Sequence, residues 1–177
     1  MKKLIIISLF CFVVFNAVSQ DTTKMDISQI PYEVGTLYEK AYIDIGEINR
    51  VGEVQILEVK DLIEDMVKKY IWVEYKTLSR GYYSTYSVAL TKEEAKSLIT
   101  AMEKIVSIVN GEKKFNDTEL VFKTYKGLIV GALYDKVDFK WTFFLQKDQT
   151  ISNSFGSIKK EQFISFLNYI KSAYKSI

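Results

Sequence analysis

Side chains able to do chemistry are scarce in this 177-residue sequence: histidine is absent, and the single cysteine, Cys11, sits in an apolar run near the amino terminus. Without imidazole there is no Ser-His-Asp arrangement and no histidine general base. Zinc and copper sites normally rest on histidine and cysteine, so neither metal is expected. Eight glycines form neither a G-x-G-x-x-G pattern nor a P-loop. Carboxylates survive this census, as Glu58 with Asp61, Glu64 with Asp65, and Asp135 with Asp138. A glycoside hydrolase needs two acids about 5 to 10 Å apart across a cleft. These pairs stand at strand ends or beside lysines, where solvated surface charge is the ordinary explanation. Asp135-Lys136-Val137-Asp138 also lacks the ligand spacing of a calcium loop. Ser79 and Ser84 lie near lysines, yet neither stands in an S-x-x-K setting. The expectation is a non-enzyme with no catalytic residue, no metal site and no cofactor.

What remains is recognition chemistry. Tyr82, Tyr83 and Tyr86 cluster with Ser84, Thr85 and Ser87. Tyrosine offers a rigid ring with a hydrogen-bonding tip, suited to protein or sugar; aromatic residues are also simply good strand formers.

Residues 1–19 read as an export signal: Lys2 and Lys3, then an apolar core from Leu4 to Phe15, then the small-x-small Ala17-Val18-Ser19. Cleavage is expected before Gln20, giving a periplasmic or extracellular product without a membrane span. Cys11 follows Phe10, where a lipoprotein signal needs a small residue. Of 24 basic residues, Lys2 and Lys3 leave with the signal, so 22 remain against 22 acidic ones. A neutral chain lacks the positive field that nucleic-acid binding needs. With Cys11 gone no disulfide can form, and the core alone must hold the fold.

The elements behind these residues follow from periodicity. Val137, Phe139, Trp141, Phe143 and Leu145 alternate with Asp138, Lys140, Thr142, Phe144 and Gln146, a strand pattern. Phe163, Phe166, Leu167, Ile170, Ala173, Tyr174 and Ile177 form one helical stripe. Sixty-eight positions earlier Ala95, Leu98, Ile99, Met102, Ile105, Val106 and Val109 repeat that spacing, and Ile71, Val73 and Tyr75 fall under Phe139, Trp141 and Phe143. Residues 35–48 suit one or two strands; 53–60, 70–77 and 82–90 are expected strands. Residues 60–70 carry a helical stripe (Leu62, Ile63, Met66, Val67, Tyr70), but aligning Leu62-Ile63 with Leu128-Ile129 favours a strand. Thr91-Lys92-Glu93-Glu94 is a capping box opening the first helix, which stops at Asn110-Gly111. Residues 113–117 are a polar link. Strands are then expected over 118–126, 128–135, 137–146 and 150–155, with Ser157 capping the last helix.

The pattern predicts an α+β fold: two tandem repeats of about four antiparallel strands plus one helix, both helices on one face of a shared antiparallel sheet. Residues 20–52 form an N-terminal segment, 53–111 the first unit and 117–177 the second, all within one compact domain. The pieces V-x-I-L-E-V-x-D (54–61), S-x-A-L-x-K-E-E-x-x-x-L-I-x-A-M-E-x-I (87–105) and F-K-T-x-x-G-x-x-V-G-x-x-Y-D-K-x-x-F-K-W-x-x-F-L-Q (122–146) resemble a group of exported bacterial proteins of unknown function. The resemblance implies export and the tandem architecture and carries no activity or ligand.

If Ile71, Val73, Tyr75, Phe139, Trp141 and Phe143 meet the helices, Tyr70, Trp72, Glu74, Lys76, Lys140 and Phe144 point away. Lys123 and Tyr125 point away from Leu120 and Phe122 likewise. Aromatics among lysines on an open face suit a binding surface, unless N-terminal strands or a second protomer cover them. The leading expectation is an exported non-enzymatic protein that recognises a protein partner through Tyr70, Trp72, Lys76, Tyr125, Lys140 and Phe144. The alternatives are a carbohydrate-binding or carboxylate-based hydrolytic domain, and a self-associating envelope component.

Overall fold

A computed structural model describes residues 35–79, 82–111, 114–147 and 154–177. The expected signal at 1–19, the turn at Arg80-Gly81 and most of the strand expected over 150–155 lie outside them. The described chain runs β1 (Tyr38–Ile48), β2 (Gly52–Asp61), β3 (Met66–Ser79), β4 (Tyr82–Leu90), α1 (Lys92–Gly111), β5 (Thr118–Lys123), β6 (Leu128–Asp135), β7 (Lys140–Lys147), β8 (Gly156–Ile158) and α2 (Lys160–Ser176). It is an α+β fold in which four strands and then a helix occur twice.

The period of two decides which face each strand buries. Val54 pairs with Val73, Ile56 with Ile71, Val73 with Val88 and Ile71 with Leu90, and all of them are core residues. Leu128, Val130 and Ala132 of β6, with Phe143 and Leu145 of β7, supply the matching face in the second half. Both helices bury their predicted stripes: Ala95, Leu98, Met102 and Ile105 on α1, and Phe163, Phe166, Leu167, Ile170 and Ala173 on α2. These residues form one core cluster drawn from both halves. Each fully buried side chain of this size contributes about 1.5–3 kcal/mol.

Where the pattern predicts one shared sheet, hydrogen bonding divides the strands into two antiparallel sheets, β1-β2-β3-β4 and β5-β6-β7-β8. The helices bridge them. α1 packs on β3 and β4 of its own half and on β5 and β6 of the other; α2 reaches back over β1, β2 and β3 as well as β7, and touches α1. Close approach is built in at Gly46, where an added Cβ would fall 2.4 Å from the Tyr169 ring of α2. Tyr75 of β3 adds a polar tie, its hydroxyl donating to the Ser154 carbonyl before β8 at 3.4 Å. Burial pushes the Tyr75 phenol far above its ordinary pKa, so it stays a donor.

The α1 capping box forms as expected. Thr91 Oγ1 accepts from the Glu94 amide at 3.3 Å, and Glu94 Oε2 from the Thr91 amide at 3.2 Å. Ser157, the expected cap of α2, instead lies in β8. Lys159 takes the N-cap position, and Gln162 Oε1 accepts its amide at 2.8 Å.

Residues 60–70 are neither a helix nor one strand. β2 ends at Asp61 and β3 begins at Met66, so four residues make a hairpin turn. Asp61 Oδ1 accepts from the Ile63 and Glu64 amides at 2.8 and 3.0 Å, and Asp65 adopts a positive φ of 53°. The β6–β7 hairpin is closed the same way. Asp135 Oδ1 accepts from Val137 and Asp138 at 2.7 and 3.2 Å, and Phe139 adopts φ 50°. Asp135 stands seventy-four positions after Asp61, whereas the helix stripes stand sixty-eight apart. Phe139 therefore takes the turn position that Asp65 takes in the first hairpin, and it is exposed instead of buried in the core beneath the helices.

Candidate functional site: an aromatic cleft beside the second hairpin

The β6–β7 hairpin and the carboxyl end of α1 flank a hollow of about 630 Å³, lined by Val109, Asn110, Gly111, Lys114, Phe115, Tyr134, Phe139 and Trp141. Four of these eight are aromatic. Tyr134 and Trp141 face each other across the strand pair, ring centroids 5.2 Å apart and tilted by 50°. They form the wall, while Phe139 and Phe115, 79% and 86% exposed, form the rim. Val137, 75% exposed, continues the apolar surface to the hairpin tip.

Carboxylates set this geometry. Asp135 folds the loop, as above. Asp117, at the end of the link carrying Phe115, accepts from the Lys136 amide at 3.0 Å and pairs with its ammonium at 3.2 Å. The Lys136 amide, and then its ammonium, hold the Asp117 carboxyl below its ordinary pKa. At the helix end, Lys160 Nζ donates to Asn110 Oδ1 at 2.6 Å.

Phe139 is the unusual member. A positive φ costs an L-residue with a bulky side chain about 1–2 kcal/mol. Asp65, at the corresponding place in the first hairpin, is a residue type that tolerates this conformation. Here an aromatic ring stands in that position and is held out to solvent. Strained residues of this kind cluster at functional sites.

A second hollow, about 690 Å³, lies where the α1 amino terminus meets the β5–β6 turn, with Tyr125 on its lining. Its most buried acid, Glu94, is committed to structure: Oε2 completes the cap, and Oε1 accepts from the Lys126 amide at 3.0 Å. Among the described residues no group of three His, Cys, Asp or Glu is placed to hold a metal ion, and no helix is long and apolar enough to cross a membrane.

The six residues expected as contacts are distributed over two sheets. Tyr70, Trp72 and Lys76 lie on the outer face of the first sheet. There Trp72 is buried with Leu57, Val59 and Ala89, with Tyr70 and Tyr38 packed against them. Tyr42 meets Trp72 edge to face at 5.8 Å. Phe144 is also buried, its ring lying over Gly131, where a Cβ would fall 2.5 Å from it, and stacked with Phe155 at 5.0 Å. Lys140 opens β7 and is exposed. Tyr125 sits in the β5–β6 turn, 99% exposed. Lys76 is exposed on β3. Trp72 and Phe144 are covered by aromatic neighbours on their own faces, and the strand expected over 118–126 ends at Lys123, so Tyr125 belongs to a turn and not to a sheet face. Sequence reasoning missed Phe115, Tyr134 and Phe139 as members of a site. The signal available was Asp135 followed by a four-residue loop, a turn signature embedded in an apparent strand.

Comparison with protein-family models, with curated proteins and with solved structures gave no match.

Proposed function

We propose that the chain is an exported, non-enzymatic binding protein that takes an apolar segment of a protein partner into the cleft between Trp141, Tyr134, Phe139 and Phe115. The observation that carries this reading is Phe139, a strained residue whose ring is spent on solvent. Two exposed aromatic side chains, Phe139 and Phe115, line the same hollow as Tyr134 and Trp141. Apolar anchors over a desolvated pocket usually dominate interface energy. Support for export comes from Lys2, Lys3, the apolar run and Ala17-Val18-Ser19. The two halves are read as copies of one unit, supported by the matching hairpins at Asp61 and Asp135 and the matching helix stripes. Lys76, Lys140 and Tyr125 are exposed but stand on three different elements, and they are not part of this reading.

A photoreactive phenylalanine analogue placed at position 139 tests the reading in envelope extract. Cross-linking to one protein, lost when Trp141 is replaced by alanine and absent when the analogue replaces exposed Tyr83, is the expected result. Equal labelling from both positions would remove the cleft from consideration. A carbohydrate reading draws on the Tyr134–Trp141 ring pair, since sugars stack on such rings. Quenching or shift of Trp141 fluorescence by glycans, without any protein cross-link, would favour it.

A further inference from the structure

The first sheet ends on β1, and among the described residues no strand pairs with its outer side. β1 is eleven residues long, and residues 41–44 are all exposed, with Tyr42 and Ile43 at 39% and 45%. Such an edge presents a row of backbone donors and acceptors to any strand that can match it. Natural edges are blunted by proline, by brevity, by a bulge or by charged side chains that repel a second strand. β1 has no proline, and its one irregularity falls between Asp44 and Gly46, beyond the middle of the strand.

The sequence of β1 is complementary to itself. In an antiparallel pairing of two copies centred on Tyr42, Lys40 of each copy faces Asp44 of the other, twice. Ala41 faces Ile43, and Tyr42 faces Tyr42. Centring on Ala41 sets Lys40 against Tyr42, and centring on Ile43 sets Asp44 against Tyr42, so neither forms an opposite-charge pair. Alternation puts Lys40, Tyr42 and Asp44 on the outer face, with Tyr42 opposite Leu57 and already edge-on to Trp72. Asp44 Oδ1 accepts from the Gln55 side-chain Nε2 at 2.7 Å, which orders the carboxylate on the outer face of the sheet. Opposite charges and aromatic pairs directly across strands are both favourable.

We propose that a second copy of this chain docks on β1, antiparallel and centred on Tyr42, joining two four-stranded sheets into one of eight strands about a two-fold axis. Such an interface is isologous, so each pair occurs twice. It leaves the aromatic cleft uninvolved, and the proposal stands independently of the function assigned to that cleft.

Charge exchange tests the register. The purified chain without residues 1–19 should sediment as a concentration-dependent dimer. Lys40→Asp and Asp44→Lys each set like charges opposite, and each should weaken self-association at least tenfold. Mixed together they should recover it as a heterodimer, because all four facing charges are then opposite; the double exchange should recover it as a homodimer. Tyr42→Cys offers an independent reading. Facing residues have Cα atoms about 4.5–5.5 Å apart, within disulfide reach, and the chain without its signal has no other cysteine. This variant should cross-link to a dimer under mild oxidation. A monomer at every concentration, dimers indifferent to either charge change, or no rescue on mixing folded variants would each overturn the proposal.

Discussion

Phe139 is where stability and recognition pull apart, because the same φ of 50° that displays the ring also strains the backbone. Asparagine tolerates that conformation without glycine's entropy cost. Phe139→Asn should therefore raise stability by about 1 kcal/mol, a thermal midpoint about 2–4 °C higher for a chain of this length. Partner cross-linking from a second rim position, Phe115, should fall at the same time. A lower midpoint would mean that the ring is structural and the strain has another origin. Glu74 makes a second case. It faces Glu53 across β2 and β3, and desolvation first, then the Glu53 charge, raises its pKa while Lys76 opposes the rise. A folded-state pKa above the unfolded one means that the folded chain holds the proton more tightly, so the cost of ionised Glu74 is present above the raised value and disappears as pH falls toward 4.5. Glu74→Gln should stabilise by about 0.2–1 kcal/mol at pH 7. In urea titrations the gain should shrink to nothing near pH 4; a gain that persists there would assign it to something other than charge.

At the scale of elements, the hairpins explain both what the sequence made legible and what it hid. Helix stripes were readable because seven apolar positions at one period leave a single solution, and the Thr91–Glu94 cap announced where α1 begins. The hairpin at Asp61 was hidden because Leu62, Ile63, Met66 and Val67 look like a continuing element although all four are exposed. Only the aspartate, by accepting two amides of the following turn, breaks the strand. One register carried across the chain then misplaced Phe139 and concealed the cleft. Trp72 and Phe144 were placed on the correct side, but in-plane neighbours such as Tyr42 and Phe155 cover them, and alternation says nothing about neighbours within a face. Trp72→Ala should accordingly cost about 3–5 kcal/mol, the range for emptying a buried aromatic site. Chemical denaturation reads this directly, and a cost under 1 kcal/mol would return Trp72 to the list of surface contacts. Asp117→Ala should do the opposite. The latch between the link and the hairpin is exposed, so the midpoint should hardly move, while the rim formed by Phe115 and Phe139 loses its spacing and cross-linking from position 139 drops.

At the scale of the molecule, the two sheets are separate but the core is not. α1 lies partly on β5 and β6, α2 reaches back to β1 and β2, and Tyr75 ties β3 to the segment before β8. Neither helix packs on its own half alone: without the other half α2 would lose β1, β2 and β3, and α1 would lose β5 and β6. Each half would keep its strands but lose part of the surface on which its helix packs, and small chains with a reduced apolar core are marginal. Residues 20–111 and 114–177, expressed separately, should each lack a cooperative thermal transition, and mixing them should restore one together with near-ultraviolet dichroism from Trp72 and Trp141. Two independent transitions from the separate pieces would show that each sheet owns its helix. The bridging contacts would then be ornament on a pair of self-sufficient domains, and the cleft, built wholly from residues of α1, the link and the second sheet, would have to be tested in the fragment that keeps those three together.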